Sequence, residues 1–387
     1  MTASLNNKLQ SVKWGKYKLG DLFEIENTLS FNADKLVPGN EYDYVTRTSL
    51  NQGILRTTGF VNEENINPSG TWSLGLLQMD FFYRRKPWYA GQFVRKIIPK
   101  IKIQGPAILF FSTLLNKQKP RLLSVLVRNV DKTFLSTQIQ LPTKDGEIDF
   151  GFMEAFVAEL EAQRVAELSA YLKVSGYDNY ELSAEELKAL QKFGILEDKY
   201  WGTYRIGDLF ERVDTKKLPY KAKELPKQPI DDYVLPCLTS SFQNQGLNYY
   251  APKAEATVLS NVISIPSNSD VYRAYYQSKD FTVLSDAYAI RWKSDETKIS
   301  PNHYLFMVMC INKVTDLPIY SYKNKLGGWN VVKGKSIRLP EKDGKIDFDY
   351  METFIAAIKK IAIKDVVLYK DRKIEATKSV VSPKHCE

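Results

Sequence analysis

The 387-residue sequence has two histidines, three cysteines and no long apolar run. Cys237, Cys310 and Cys386 share no metal-ligand spacing, and their odd count argues against a disulfide scaffold. No stretch of about 18 apolar residues could span a bilayer, and nothing at the N-terminus reads as a signal peptide. Reducing cytoplasm is therefore the expected home, with no membrane partner. Several enzyme signatures are missing too. There is no glycine-rich cofactor loop, no Asn/Asp-Pro-Pro-aromatic tetrad of the kind that holds an extruded adenine, and no Gly-x-x-x-x-Gly-Lys-Ser/Thr phosphate loop. Asn67-Pro68-Ser69-Gly70 is the nearest lookalike of the tetrad and reads better as a turn. Asp178 with Glu186 and Lys188 roughly fits nuclease spacing, but Glu186 is needed for a helix cap, and His303 has no Ser or Cys partner. No catalytic residue, metal ligand or cofactor is expected.

What is present is charge, aromatic surface and repetition. A formal charge of +9 points to a polyanionic partner such as nucleic acid. The 23 Tyr, 19 Phe and 6 Trp favour strands and stacking surfaces. The length favours two domains, each able to bury its own core.

One motif occurs twice as an opening, Trp-Gly-Lys-Tyr-Lys-Leu-Gly-Asp-Leu-Phe-Glu from Trp14 and Trp-Gly-Thr-Tyr-Arg-Ile-Gly-Asp-Leu-Phe-Glu from Trp201. Another occurs twice as a close, Leu-Pro-Thr-Lys-Asp-Gly-Glu-Ile-Asp-Phe from Leu141 and Leu-Pro-Glu-Lys-Asp-Gly-Lys-Ile-Asp-Phe from Leu339. The offset grows in small steps, 187 residues at Trp14, 193 at Asn51-Gln52-Gly53, 196 at Asn116-Lys117 and 198 at Leu141. Ordered matches with a slowly growing offset indicate one ancestral unit duplicated, with short insertions. Trp14, Trp201, Leu22, Phe23, Leu209 and Phe210 read as shared framework. Between the anchors the halves hardly agree. Apolar runs at Tyr42–Thr48, Ala107–Phe111, Val258–Ile265 and Ala287–Trp292 predict short strands.

Each close predicts a turn and then a helix. Asp145-Gly146 and Asp343-Gly344 are turn dipeptides, and Asp149 and Asp347 stand where helix N-caps belong. Met153, Phe156, Val157 and Leu160, and likewise Met351, Phe354, Ile355 and Ile358, fall on one apolar stripe. The first helix is expected to reach about Leu172, with Ser175-Gly176 as a break. Ser183 and Glu186 then form a capping box for a second helix ending at Phe193. The stripes could bury against one another, against their own domains or against another subunit.

The variable interior holds side chains suited to reading bases. Arg47, Asn51 and Gln52 surround one Gly-bearing loop; Ser241, Asn244 and Gln245 surround its counterpart. Arg pairs bidentately with guanine edges, and Asn or Gln with adenine edges. Arg84, Arg85 and Lys86 in one basic-aromatic run, and Arg273, Tyr275 and Lys279 in its equivalent, suit phosphate contacts. Being the same in both halves, the Asn-Gln-Gly triplets suit a shared turn as well as a reading loop. Two other classes stay open on the residues alone: an adenine methyltransferase or nuclease with unrecognised motifs, and a tandem RNA- or protein-binding module.

The repeated opening, variable interior and repeated close, over about residues 12 to 375, resemble the specificity subunits of type I restriction-modification systems and their type IIB relatives. The resemblance implies an α+β fold of two tandem mixed α/β target-recognition domains, each followed by a long helix, the helices packing as an antiparallel coiled coil. It places the domains at 1–148 and 201–346 and the conserved helical regions at 149–200 and 347–387. It further implies a non-catalytic reader of a bipartite double-stranded DNA target. Two DNA methyltransferase subunits would dock on the helices, with Met153, Phe156, Leu160, Met351, Phe354 and Ile358 as interface candidates, and restriction subunits would join the full complex.

Overall fold

The computed structural model describes residues 3–195, 200–294 and 298–381; His385 and Cys386 lie outside them. The chain forms two compact units, one reaching Ala170 and including the end of the last helix from Lys373, the other Tyr171–Arg372. Among the described residues no helix is long and apolar enough to cross a membrane.

The first unit runs α1 (Ala3–Ser11), β1 (Trp14–Lys18), α2 (Leu19–Leu22), β2 (Phe23–Asn27), β3 (Tyr42–Val45), β4 (Ile54–Thr58), β5 (Thr71–Gly75), β6 (Asp80–Arg84), β7 (Trp88–Ala90) and β8 (Val94–Pro99). It continues with α3 (Ala107–Lys117), α4 (Lys119–Leu123), α5 (Val130–Ser136), β9 (Gln138–Lys144), β10 (Glu147–Ile148) and α6 (Phe150–Val174). Its sheets are ordered β2-β8-β5-β6, β4-β3-β7 and β1-β9-β10, with β3 and β7 parallel.

The second unit runs α7 (Ala184–Ile195), β11 (Trp201–Arg205), α8 (Ile206–Leu209), β12 (Phe210–Arg212), β13 (Tyr233–Leu238), β14 (Leu247–Pro252), β15 (Val262–Pro266), β16 (Tyr275–Gln277), β17 (Thr282–Val283) and β18 (Ala287–Trp292). Then come α9 (Pro301–Thr315), α10 (Trp329–Val332), β19 (Ser336–Lys342), β20 (Lys345–Ile346) and α11 (Phe348–Val381). Strand for strand the sheets repeat: β12-β18-β15-β16, β14-β13-β17 and β11-β19-β20, with β13 and β17 parallel.

The repeated motifs are the places where each unit closes on itself. The opening strand pairs with the closing strand, Trp14 opposite Pro142 and Trp201 opposite Pro340. A Cβ on Gly15 would stand 2.5 Å from Thr143 Cγ2, so the tight crossing explains the glycine. Asp145 and Gly146 have φ of 53° and 87°, and Asp343 and Gly344 of 52° and 74°, the left-handed pair of a two-residue hairpin. Asp149 Oδ1 accepts from the Phe152 amide at 2.8 Å and Asp347 Oδ1 from the Tyr350 amide at 2.9 Å, capping α6 and α11 as expected. Asn116 and Asn312 each dock a helix on a strand by two bonds. Asn116 Oδ1 accepts from Phe81 N and its Nδ2 donates to Phe81 O, both at 2.9 Å; Asn312 does the same with Ala274 at 2.7 and 3.2 Å.

Several elements differ from the sequence expectation. Ala107–Phe111 opens α3 and is not a strand, burying Ala107, Phe111 and Leu115 at four-residue spacing. The expected strands at Tyr42–Thr48 and Val258–Ile265 are confined to β3 and β15. Helix α7 runs to Ile195, past the expected end at Phe193. Helix α6 ends in a Schellman motif, Tyr177 N donating to Leu172 O at 2.8 Å and Gly176, at φ 68°, to Lys173 O at 3.2 Å.

The short helix before each Trp-Gly strand belongs to the repeat as well. Leu5 of α1 packs on Phe156 and Val157 of α6. In the second unit Phe193 of α7 stacks on Phe354 of α11 at 4.5 Å, and Tyr350 Oη donates to Ala189 O at 3.0 Å. The apolar stripes are thereby covered within their own units: Met153, Phe156, Met351 and Phe354 are buried and Leu160 half-buried, while Ile358 is 40% exposed.

Candidate nucleic-acid interface

The Asn-Gln-Gly loops join β3 to β4 and β13 to β14. Asn51, Gln52 and Gly53 have φ of 45°, 54° and 78°; Asn244, Gln245 and Gly246 have 47°, 54° and 85°. Three successive left-handed residues are sterically costly except where Gly or a locally bonded Asn stands. Asn51 Nδ2 donates to Ile54 O at 3.1 Å, and Asn244 Nδ2 to Leu247 O at 2.6 Å. A Cβ on Gly246 would meet Ser241 O at 3.0 Å, and one on Gly53 would meet Thr46 O at 3.2 Å. The shared Asn and Gly thus hold the turn, while the side chains of Gln52 and Gln245 stand exposed.

Behind each loop lies a buried anchor. Arg84, 2% exposed, donates from Nη2 to Gln52 O at 2.6 Å, and from Nη2 and Nε to Ser73 Oγ at 2.6 and 2.9 Å. Gln277, 5% exposed, donates from Nε2 to Gln245 O at 3.3 Å and to Ser264 Oγ at 3.1 Å. One frame is built with two different side chains. Burial lowers the Arg84 guanidinium to about 10, against the pull of Asp43, so it stays charged at neutral pH.

Each loop borders a cleft within its own unit. In the first, of about 420 Å³, the lining includes Asn32, Thr46, Arg47, Thr48, Gln78 and Gln92. In the second, of about 760 Å³, it includes Lys227, Ser240, Ser241, Gln243, Asn244 and Asp286. Two backbone hydrogen bonds beside the clefts correspond between the units. Gly91 N donates to Val45 O at 2.8 Å as Leu284 N does to Leu238 O at 2.9 Å, and Leu76 N donates to Phe93 O at 2.9 Å as Ser267 N does to Asp286 O at 2.8 Å. Arg47 and Phe93 of one unit therefore occupy the places of Ser240 and Asp286 in the other.

The remaining candidates divide by partner. Arg85 and Lys279 are exposed, and neither has an intramolecular ion pair or hydrogen bond among the described residues. Lys86 pairs with Asp43 at 3.1 Å and Arg273 with Asp316 at 2.6 Å. Tyr275 Oη donates to Phe242 O at 3.2 Å, beside the second loop, and Ser241 Oγ accepts from Gln243 N at 3.1 Å. Phe93 and Asp286 escape sequence reading because nothing local marks them. The signal that finds them is the offset of 193, carried on from Asn51 and Trp88 to two dissimilar residues.

Among the described residues His303, Cys237, Cys310 and Glu186, titratable side chains the sequence singles out, are held by the fold. His303 is the third residue of a helix cap, its Nδ1 accepting from Ser300 N at 3.1 Å. Burial lowers its pKa despite the neighbouring Glu352 carboxylate. Cys237 and Cys310 are buried thiols pushed up to about 12 by desolvation. Glu186 is committed to Ser183 N at 2.7 Å and Lys360 Nζ at 2.9 Å. Among the described residues no group of three or more His, Cys, Asp and Glu side chains could hold a metal ion.

The sequence matches the family described as type I restriction modification DNA specificity domain over residues 11–170 and again over 198–369. No curated protein matches it. Among solved structures, the type I restriction-modification S subunit from M. genitalium is 12% identical, with 96% of this chain and 94% of that one covered at a TM-score of 0.51, a likeness of fold. The HsdS subunit from Thermoanaerobacter tengcongensis is 13% identical over 93% and 91% of the two chains, at a TM-score of 0.31, too loose to argue from. With the family's domain matched twice and together over most of its length, the chain belongs to the type I restriction-modification DNA specificity subunits.

Proposed function

We propose that this chain reads a split duplex DNA target for a restriction-modification complex, each unit addressing a few base pairs in the major groove. The carrying observation is a duplicated frame with matching hydrogen bonds whose side chains differ at the cleft, Arg47 in the first against Ser240 in the second, with Phe93 under Arg47 where the second unit has Asp286. A shared frame fixes the docking geometry, and divergent side chains on it give different half-sites.

On this reading residues 1–148 and 201–346 are the target-recognition domains, and 149–200 and 347–387 the helical regions. Two methyltransferase subunits dock on the helical regions, restriction subunits join them, and the complex works in the cytoplasm. The partners supply adenine N6 methyl transfer and cleavage; specificity subunits of this family are in general non-catalytic. An antiparallel coiled coil of the two conserved helices belongs to the same reading. Methylome sequencing of cells expressing the chain with its methyltransferase tests the proposal. A split adenine-methylated motif is expected, and a continuous motif or methylation independent of this chain overturns it.

Arg85 is the cleanest phosphate-contact candidate, being exposed and having no intramolecular partner among the described residues. Arg85→Ala should reduce the slope of log affinity against log salt by about 0.9, the value for one phosphate contact on B-DNA. Titration of a duplex at four salt concentrations measures it; an unchanged slope removes Arg85 from the interface.

A further inference from the structure

We infer that Arg47, stacked on Phe93, reads a guanine in the half-site of the first unit and in that half-site alone. The inference rests on the DNA-reading proposal and adds the class of base. The Arg47 guanidinium carbon lies 5.2 Å from the centre of the Phe93 ring. Its side chain is exposed, lines the first cleft and makes no hydrogen bond or ion pair among the described residues. An arginine that serves the fold is normally bonded, as Arg84 is; this one keeps its donors for something outside the chain.

Both partners are held. Phe93 has φ of 62°, a strained setting for an aromatic residue, and its carbonyl accepts from Leu76 N at 2.9 Å. On the other side, a Cβ on Gly75 would lie 3.0 Å from Arg47 Cα and 3.1 Å from its carbonyl oxygen, so the Arg47 backbone is packed directly on β5. An exposed Arg ordinarily loses much side-chain freedom on binding. Stacking on the Phe93 ring, which is 55% exposed but carried on a held backbone, removes part of that loss and orients the plane of the fork. A planar pair of donors matches the O6 and N7 acceptors of guanine in the major groove. The equivalent places in the second unit are Ser240 and Asp286, a hydroxyl and a carboxylate with no guanidinium, so the second half-site cannot share this contact.

The test is selection from a randomised duplex pool by the full-length chain bound to its modification subunits, with Arg47→Ala, Arg47→Lys and Phe93→Leu beside the unchanged chain. The unchanged chain is expected to return a split motif with a fixed guanine in one half. Arg47→Ala should lose the preference at that position only, with affinity for the selected site down about tenfold to hundredfold. Arg47→Lys should keep the salt dependence and lose most of the discrimination, and Phe93→Leu should weaken it less. Since the Arg47 side chain is exposed, thermal unfolding of Arg47→Ala should match the unchanged chain. A guanine preference untouched by Arg47→Ala, or an even loss across all positions, overturns the inference while leaving the DNA-reading proposal standing. Failure of the unchanged chain to select any split motif overturns both.

Discussion

Phe354→Asp is expected to unfold the second unit, whereas Ile358→Asp, one helical turn further on, should leave it folded. Phe354 is 4% exposed and lies among Phe193 at 4.5 Å, Phe306 at 5.6 Å and Tyr350 at 6.0 Å between ring centres. Removing a buried Phe side chain costs about 3–5 kcal/mol. A carboxylate left there without a partner adds several more, or protonates at a similar cost. Against a domain stability of about 5–15 kcal/mol, the folded population does not survive. The measurement is loss of the cooperative unfolding transition belonging to the second unit. Ile358, by contrast, is 40% exposed, where a substitution shifts stability by about 1 kcal/mol or less. If the exposed side of α11 carries a methyltransferase subunit, Ile358→Asp weakens co-purification with that subunit at unchanged unfolding temperature. Undiminished assembly would remove Ile358 from the interface.

The contrast separates what a stripe means from where it sits. Periodicity placed Phe354 and Ile358 on one face of one helix, which is correct, but a period cannot say whether the cover is the chain's own α7 or another molecule. Deciding it required Ala189 and Phe193, which come from a segment separated from α11 by an entire domain. The parts of the fold that were legible are those whose causes are local. Asp-Gly dictates its hairpin, Asp149 and Asp347 cap the helices they precede, and Ser183 and Glu186 close a capping box three residues apart. The failure at Ala107–Phe111 is of the same origin in reverse. Five apolar residues in a row have no period of their own, and only burial at Ala107, Phe111 and Leu115 shows the helix. At the candidate interface, the loops were legible through repetition. The division of labour inside them was not, because exposure and partner are tertiary properties: Arg84 and Arg85 are neighbours in sequence, one buried under the loop and one in water.

Arg84→Ala should therefore behave as a loop mutation and not as the loss of a phosphate contact, and Arg84→Gln should rescue it. Truncation leaves Ser73 Oγ without its two donors and frees the Gln52 carbonyl behind a turn whose three residues are all left-handed. Each buried polar group so orphaned costs about 1–3 kcal/mol, and the vacated volume adds to it, giving a loss on the order of 3–5 kcal/mol for the first unit. The second unit shows that charge is not required there. Gln277 reaches both the equivalent carbonyl and the equivalent serine with a neutral amide. Desolvation already works against the Arg84 charge, so exchanging it for an amide removes that penalty while keeping donors for the same two acceptors. Arg84→Gln should then lie within about 1–2 kcal/mol of the unchanged chain by chemical denaturation, with duplex selection in the first half-site largely retained. Arg84→Ala should lose the first half-site and keep the second. A salt slope reduced by about 0.9 with stability untouched would show instead that Arg84 reaches a phosphate, and that the buried bonds to Ser73 and Gln52 give way when DNA binds.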